Sequence, residues 1–144
     1  MIRDADVEDV GAIAAVEAAC FGGAAWSLSQ IRDHLAAAHR IALIDGDLKA
    51  YGTISMLGDV ADLDRIAVLP AVQRQGRAVA LLDALINRSH AQGAKRMMLE
   101  VAADNDPAIK LYEAFGFESI SRRPHYYPGG IDALVMQRDL EEIR

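Results

Sequence analysis

Residues 66–92, IAVLPAVQRQGRAVALLDALINRSHAQ, constrain the fold more than any other stretch. A β-like run, Ile66-Ala67-Val68, leads through Leu69-Pro70 into Gln73-Arg74-Gln75-Gly76-Arg77-Ala78. Val79, Leu82, Leu85 and Ile86 then recur at helical spacing, which predicts a long amphipathic helix. Pro70 separates the two elements, because it has no N–H for a strand ladder and restricts the residue before it. Gly76 and Ala78 leave little side-chain bulk where the helix begins. The first amides of a helix have no partner within it, so an anion could approach them, favoured by the positive helix end. The pattern fits a phosphate or pyrophosphate cradle, and from the residues alone it fits a plain junction as well. It is not the dinucleotide fingerprint, which needs G-x-G-x-x-G, nor a P-loop, which ends in Gly-Lys-Ser/Thr.

The remaining elements fall into place around this turn. Residues 1–4 can form a first strand. Asp6, with Asp9 three residues on, reads as the N-cap of a helix to about Cys20, with Val10, Ile13, Ala14 and Val16 on its apolar face. Phe21-Gly22-Gly23 ends it. Trp26 precedes Ser27 and staples the start of a second helix, marked by Leu28, Ile31 and Leu35 and running to about Ala38. Strands are predicted at Arg40–Ile44 and Lys49–Leu57 around an Asp45-Gly46-Asp47 hairpin turn, and at about Ala61–Val68. After Gly93, Met97–Val101 gives another strand. Asp104-Asn105-Asp106-Pro107 reads as a cap with proline near the first turn of a helix over Ala108–Phe115, stopped by Gly116. Phe117–Arg122 and Leu134–Leu140 read as a last antiparallel pair across a tyrosine-rich connection, with Glu141-Glu142 a frayed end. No repeat or linker interrupts this order. It predicts one α/β domain over residues 1–144, a mixed central sheet with helices on both faces.

Composition narrows the function classes. The chain is 52% hydrophobic and 25% charged, which excludes disorder and a disulfide scaffold. Cys20 is its sole cysteine, so no intrachain disulfide forms, a reducing compartment is expected, and core or half-buried packing suits Cys20 better than catalysis. No run reaches the roughly 20 apolar residues of a membrane span, and the acidic opening lacks the build of a signal peptide. The cytoplasm is therefore the expected location, with no membrane partner. A net charge of −6 argues against direct nucleic-acid binding and tolerates a cationic partner. His34, His39 and His90 have no ligand partners at a recognisable spacing, so no metal is expected.

The order strand, Gln-x-x-Gly-x-Ala, long helix closely resembles the acyl-coenzyme-A pyrophosphate loop of the GCN5-related N-acetyltransferases (GNAT). Residues 99–117, Leu-Glu-Val-Ala-Ala-Asp-Asn-Asp-Pro-Ala-Ile-Lys-Leu-Tyr-Glu-Ala-Phe-Gly-Phe, resemble a second block of that family. Arg122-Arg123-Pro124-His125-Tyr126-Tyr127-Pro128 and Asp132-Ala133-Leu134-Val135-Met136 narrow the match, and Trp26-Ser27 agrees. They look like the bacterial branch that acetylates the N-terminal alanine of small-subunit ribosomal protein S18. The resemblance covers about residues 1–140. It implies a GNAT fold, acetyl-CoA as co-substrate, and a protein N-terminus, that of S18 foremost, as acceptor. Two departures stand near the acceptor's path: Ala102 where the family usually has Arg, and Ile131 where it usually has Glu.

The resemblance also assigns roles. Amides of Arg74, Gln75, Gly76, Arg77, Ala78 and Val79 would hold the pyrophosphate, with the side chain of Arg74 or Arg77 assisting. Ile66, Ala67 and Val68 would lie along the thioester, a backbone N–H among them polarising its carbonyl. Asn105 would touch the pantetheine, and Tyr112 would donate a proton to the departing thiolate. Glu100 would be the general base, acting through water. Trp26, Asp64, Tyr126 and Tyr127 are the candidate acceptor contacts, with His125 an alternative base. On the residues alone, Glu100 could equally face solvent, Tyr112 pack as a core aromatic, and Asn105 cap its helix. Two other classes stay open: an acetyltransferase for a small amine or amino acid, and a non-catalytic module that binds acyl-CoA or a partner.

Overall fold

The computed structural model describes residues 1–141. Seven strands form one sheet: β1 (Ile2–Asp4), β2 (Arg40–Asp45), β3 (Ala50–Leu57), β4 (Val60–Val68), β5 (Arg96–Ala102), β6 (Glu118–Tyr127) and β7 (Ile131–Asp139), in the order β1-β2-β3-β4-β5-β7-β6. Four helices pack on it: α1 (Val10–Phe21), α2 (Leu28–Ala36), α3 (Arg77–Ala91) and α4 (Asp106–Ala114). All neighbours are antiparallel except β4 and β5. Glu142, expected to be frayed, lies outside the described residues.

Strand alternation builds the two cores. Successive side chains point to opposite faces, so Leu43 and Ala50 join one layer while Ile44 and Tyr51 join the other. The first layer takes Leu81, Leu82, Leu85 and Ile86 of α3, with α4 packed beside it. The second takes Val10, Ile13 and Val16 of α1 and Ile31 of α2. Gly52 lets α3 come close, since a Cβ there would stand 2.7 Å from Leu85 Cδ1.

Several local expectations change. The Asp6–Asp9 capping box forms, but it starts a 3₁₀ turn over Val7–Asp9 that feeds α1. α2 ends at Ala36, begins from a Ser27–Gln30 capping box, and leaves Leu28 on the surface. Val79 is also exposed, on the outer side of the first turn of α3, while its neighbour Ala78 packs against the core. The largest correction concerns β6, which runs on through both tyrosines to Tyr127 rather than ending at Arg122. The strand passes through Pro124 because β6 is the edge strand, where a missing N–H costs no ladder bond. The register slips between Arg123 and Tyr127, and His125 takes φ 55° within that slip.

A second irregularity opens the sheet. Thr53 pairs with Arg65 and Ile54 with Leu63, so Asp64 is an extra residue on β4. A bulge bends and twists its strand. Before it, Val60–Asp62 pair in parallel with Arg96–Met98; beyond it, no pairing between β4 and β5 is recorded.

Candidate active site

The parting of β4 from β5 has a cleft on each side. One has a volume of about 450 Å³ and is lined by Ile66, Val68, the loop before α3, the first turn of α3, and Asn105, Leu111 and Tyr112. The other, about 480 Å³, is lined by Asp62, Asp64, Arg65, Glu100, Arg123, Tyr126 and Tyr127 among others. The expected cofactor and acceptor residues thus fall largely on opposite sides of one opening.

The first cleft is shaped by backbone. Arg74 and Gly76 take φ of 66° and 77°, turning the chain sharply into α3. A Cβ on Gly76 would meet open space, so glycine is favoured there by the left-handed backbone and not by crowding. Ser27 caps α2 and Asn105 caps α4, but no side chain caps α3. Its first amides therefore remain available, at the positive end of a 15-residue helix. Gln73 Nε2 donates to Val68 O at 3.1 Å and ties the loop to the end of β4.

Side chains on this loop do not all face the cleft. Arg77 turns behind it, donating to Asp47 at 2.6 and 2.7 Å and to Asp45 at 3.3 Å. Its guanidinium is thereby engaged away from the role expected of it. Gln75 lies on that rear side as well, and Ala67 packs into the core beneath α1. For these three, any cofactor contact is left to backbone. Asn105 Oδ1 accepts from Ala108 N at 3.3 Å, so the capping role holds beside a place in the cleft.

Tyr112 lies on the cofactor side of the opening. It is half-buried on α4, edge-on to Phe117 with centroids 5.8 Å apart. Burial, then the neighbouring Tyr127, pushes its phenol up to about 12. On the other side, Glu100 rises from β5 with 31% of its side chain exposed, and Arg123 Nε stands 3.5 Å from its Oε2. Tyr126 and Tyr127 pack edge to face, 5.1 Å between centroids. Burial raises the Tyr127 phenol, with Glu100 the next cause. Asp64 accepts from Ser55 Oγ at 2.5 Å. Asp64 also lines an adjoining hollow with Trp26, so Trp26 borders this cleft without lining it. His125 is not among the lining residues, and its ring Nδ1 lies 3.2 Å from Gly130 O.

The sequence reading missed three charged residues. Glu17 is wholly buried. It accepts from Trp26 N at 2.8 Å and from the Tyr51 hydroxyl, and its Oε2 stands 3.4 Å from Arg65 Nε. The Arg65 guanidinium is sandwiched between Phe21 and Trp26, 4.2 and 4.6 Å from the ring centroids, and reaches the Glu100 cleft. A signal for Glu17 was present, since it follows Ile13 by one helical turn on the apolar face of α1. Arg65 and Arg123 carried no such signal. Their positions depend on two bulges that pattern reading does not see. Among the described residues, no cluster of three or more His, Cys, Asp or Glu side chains is placed to hold a metal ion.

Residues 13–117 match the acetyltransferase (GNAT) family. The chain is 41% identical over 95 residues to the [ribosomal protein bS18]-alanine N-acetyltransferase of Escherichia coli K12, covering 64% of each chain. It is 46% identical over 79 residues to the Haemophilus ducreyi protein of the same name, covering 55% of this chain and 54% of that one. The matched segments thus span less than two thirds of the length of these relatives. In three dimensions, the crystal structure of the E. coli ribosomal-protein-S18-alanine N-acetyltransferase superposes with a TM-score of 0.90 at 31% identity, covering 97% of this chain and 93% of that one.

Proposed function

The chain belongs to the acetyltransferase (GNAT) family, and from that premise we propose that it transfers an acetyl group from acetyl-CoA to the N-terminal α-amine of a protein. The acceptor we favour is the N-terminal alanine of a ribosomal S18 protein, which the names of its relatives carry. The observation behind the reading is the pair of clefts on either side of the parting of β4 from β5, one presenting uncapped helix amides and the other a carboxylate.

The residues fit the co-substrate. The free amides of Arg77, Ala78 and Val79 suit a pyrophosphate, and the apolar wall of Ile66, Val68 and Leu111 suits an extended aliphatic arm. Acetyl-CoA supplies the activated acyl carbon, as a thioester. Backbone N–H groups of β4 beyond the bulge, no longer engaged by β5, are available to polarise its carbonyl. On the acceptor side, Glu100 takes the proton that the amine must lose, directly or through one water. The α-amine has a reference pKa near 7.7–8.0, so little base strength is required.

Tyr112 serves the departing sulfur. At about 12 its phenol is fully protonated at neutral pH. An ordinary thiol sits near roughly 8.5, so full transfer from such a phenol to a thiolate would run uphill. Its contribution is therefore hydrogen-bond donation as negative charge develops on sulfur, with net protonation balanced by the proton the amine gives up. Atoms balance: the N–C bond forms, the C–S bond breaks, and the amine proton ends on the thiol or in solvent. Asp64, Tyr126 and Tyr127 are proposed to line the path of the peptide, with Trp26 at its border, in a cytoplasmic setting. Mass spectrometry of N-terminal peptides after incubation with acetyl-CoA tests the reading. A gain of one acetyl group at the α-amine of an alanyl peptide supports it, and acetylation confined to side chains would overturn it.

A further inference from the structure

The turn between β2 and β3 frames the loop that precedes α3. Where β4 hands over to that loop, Leu69 N donates to Lys49 O at 2.9 Å. At the loop's far end, Arg77 Nη1 donates to both carboxylate oxygens of Asp47, at 2.7 and 2.6 Å, and to Asp45 at 3.3 Å. The other two guanidinium nitrogens, Nε and Nη2, donate to Gln75 Oε1 at 3.4 Å, so the whole group is engaged behind the loop. Between these anchors the chain holds Arg74 at φ 66° and Gly76 at φ 77°. Left-handed backbone is strained at a residue with a Cβ, as at Arg74, and persists only where the surroundings hold it. Arg77 is also the first residue of α3, and it borders the cofactor cleft in front as well as the hollow behind. Its guanidinium thus fixes the place of one of the uncapped amides.

We propose that Asp47, acting through Arg77, is a positioning residue for coenzyme A, holding the loop and the first α3 amides ready for the pyrophosphate. The proposal rests on the acetyl-CoA reading and deepens it. Charge alone argues for the opposite effect. A carboxylate near an anion site repels the anion, and one that engages Arg77 also withholds a cation from it. On that view, removing Asp47 tightens binding. Preorganisation predicts weaker binding, because a loop that is ordered only when the ligand arrives subtracts that ordering from the affinity. The sign of the change separates the two.

Calorimetric titration with coenzyme A compares wild type, Asp47→Ala, Asp47→Glu, Arg77→Ala and the Asp47→Ala/Arg77→Ala double variant, with thermal unfolding as the folding control. Asp47→Ala should raise Kd about three- to five-fold, the reach of a partly exposed ion pair, and Asp47→Glu, which keeps the carboxylate, should stay within about two-fold of wild type. The double variant should bind no more weakly than Arg77→Ala alone, since the two residues act as one unit. In steady-state kinetics the loss should stand in the KM for acetyl-CoA, with kcat not reduced. Hydrogen exchange at the amides of Gln75 to Ala78 should quicken in Asp47→Ala while the later turns of α3 keep their protection, which a general loss of stability would not produce. Unchanged or tighter binding in Asp47→Ala, or additive losses in the double variant, would overturn the proposal and leave the acetyl-CoA reading standing. A wild type that binds no coenzyme A would sink that reading and the proposal with it.

Discussion

The two clefts on either side of the β4–β5 opening are built by different means. The Gly76 side is made of backbone: two left-handed residues, an uncapped helix start and an apolar wall. The Glu100 side is made of charged side chains brought together from β4, β5 and β6. Backbone sites leave local marks in a sequence, because glycine, proline and a change of period are needed within a few residues of one another. Side-chain sites of the second kind depend on which distant residues meet. Here that meeting is decided by an extra residue at Asp64 and a slip between Arg123 and Tyr127.

If that contrast is right, removing one hydroxyl on the cofactor side should do the most damage to rate. Tyr112→Phe keeps the packing against Phe117 and removes the donor to sulfur. We expect kcat to fall by roughly 10²–10⁴-fold with the KM for acetyl-CoA nearly unchanged. Single-turnover measurement checks this and separates chemistry from product release. A near-normal chemical rate would assign Tyr112 to packing alone.

Glu17→Gln sharpens the comparison from the other side. The buried carboxylate ties α1, Tyr51 and Arg65 together. Loss of its charge leaves Arg65 uncompensated between two aromatic rings, at a cost of about 2–3 kcal/mol in folding stability. Urea unfolding reads that loss. The KM for the peptide should also rise, because Trp26 and Arg65 border the acceptor side, while affinity for coenzyme A holds. A variant as stable as wild type would mean that the Glu17 network contributes little.

The smallest effect is expected at the turn itself. Gly76→Ala places a Cβ on a left-handed residue, costing about 1–2 kcal/mol of backbone strain. The added Cβ projects into open space at a residue that lines the cofactor cleft. Calorimetric titration with coenzyme A should show affinity reduced by about ten-fold, with acceptor selectivity unaltered. A change in acceptor selectivity would break the separation of the two clefts.

What could be read beforehand follows the same division. The sheet, the helices, the turn at Gly76 and the places of Glu100 and Tyr112 were visible, because each rests on local periodicity, local breakers or the family blocks around them. β6 was expected to end at Arg122, and nothing local reveals that the strand runs on through Pro124 as the edge of the sheet. Arg74 or Arg77 was expected to assist at the cofactor, and the Asp45-Gly46-Asp47 turn, 30 residues before Arg77, captures the second of them. Glu17 was overlooked although it follows Ile13 by one turn on the buried face of an alanine-rich helix.

The central claim is that this opening joins acetyl-CoA to an N-terminal amine. One competition assay tests it most directly, at about pH 7.5, where an α-amine is far closer to its neutral form than a lysine amine. An alanyl peptide with a free α-amine is mixed with the same peptide blocked at its N-terminus and carrying a free lysine. Initial rates of acetylation are then read by mass spectrometry. The account predicts that the free α-amine is acetylated at least about 100-fold faster, in line with the two to three units between the reference pKa values. Preferential acetylation of the lysine would contradict it.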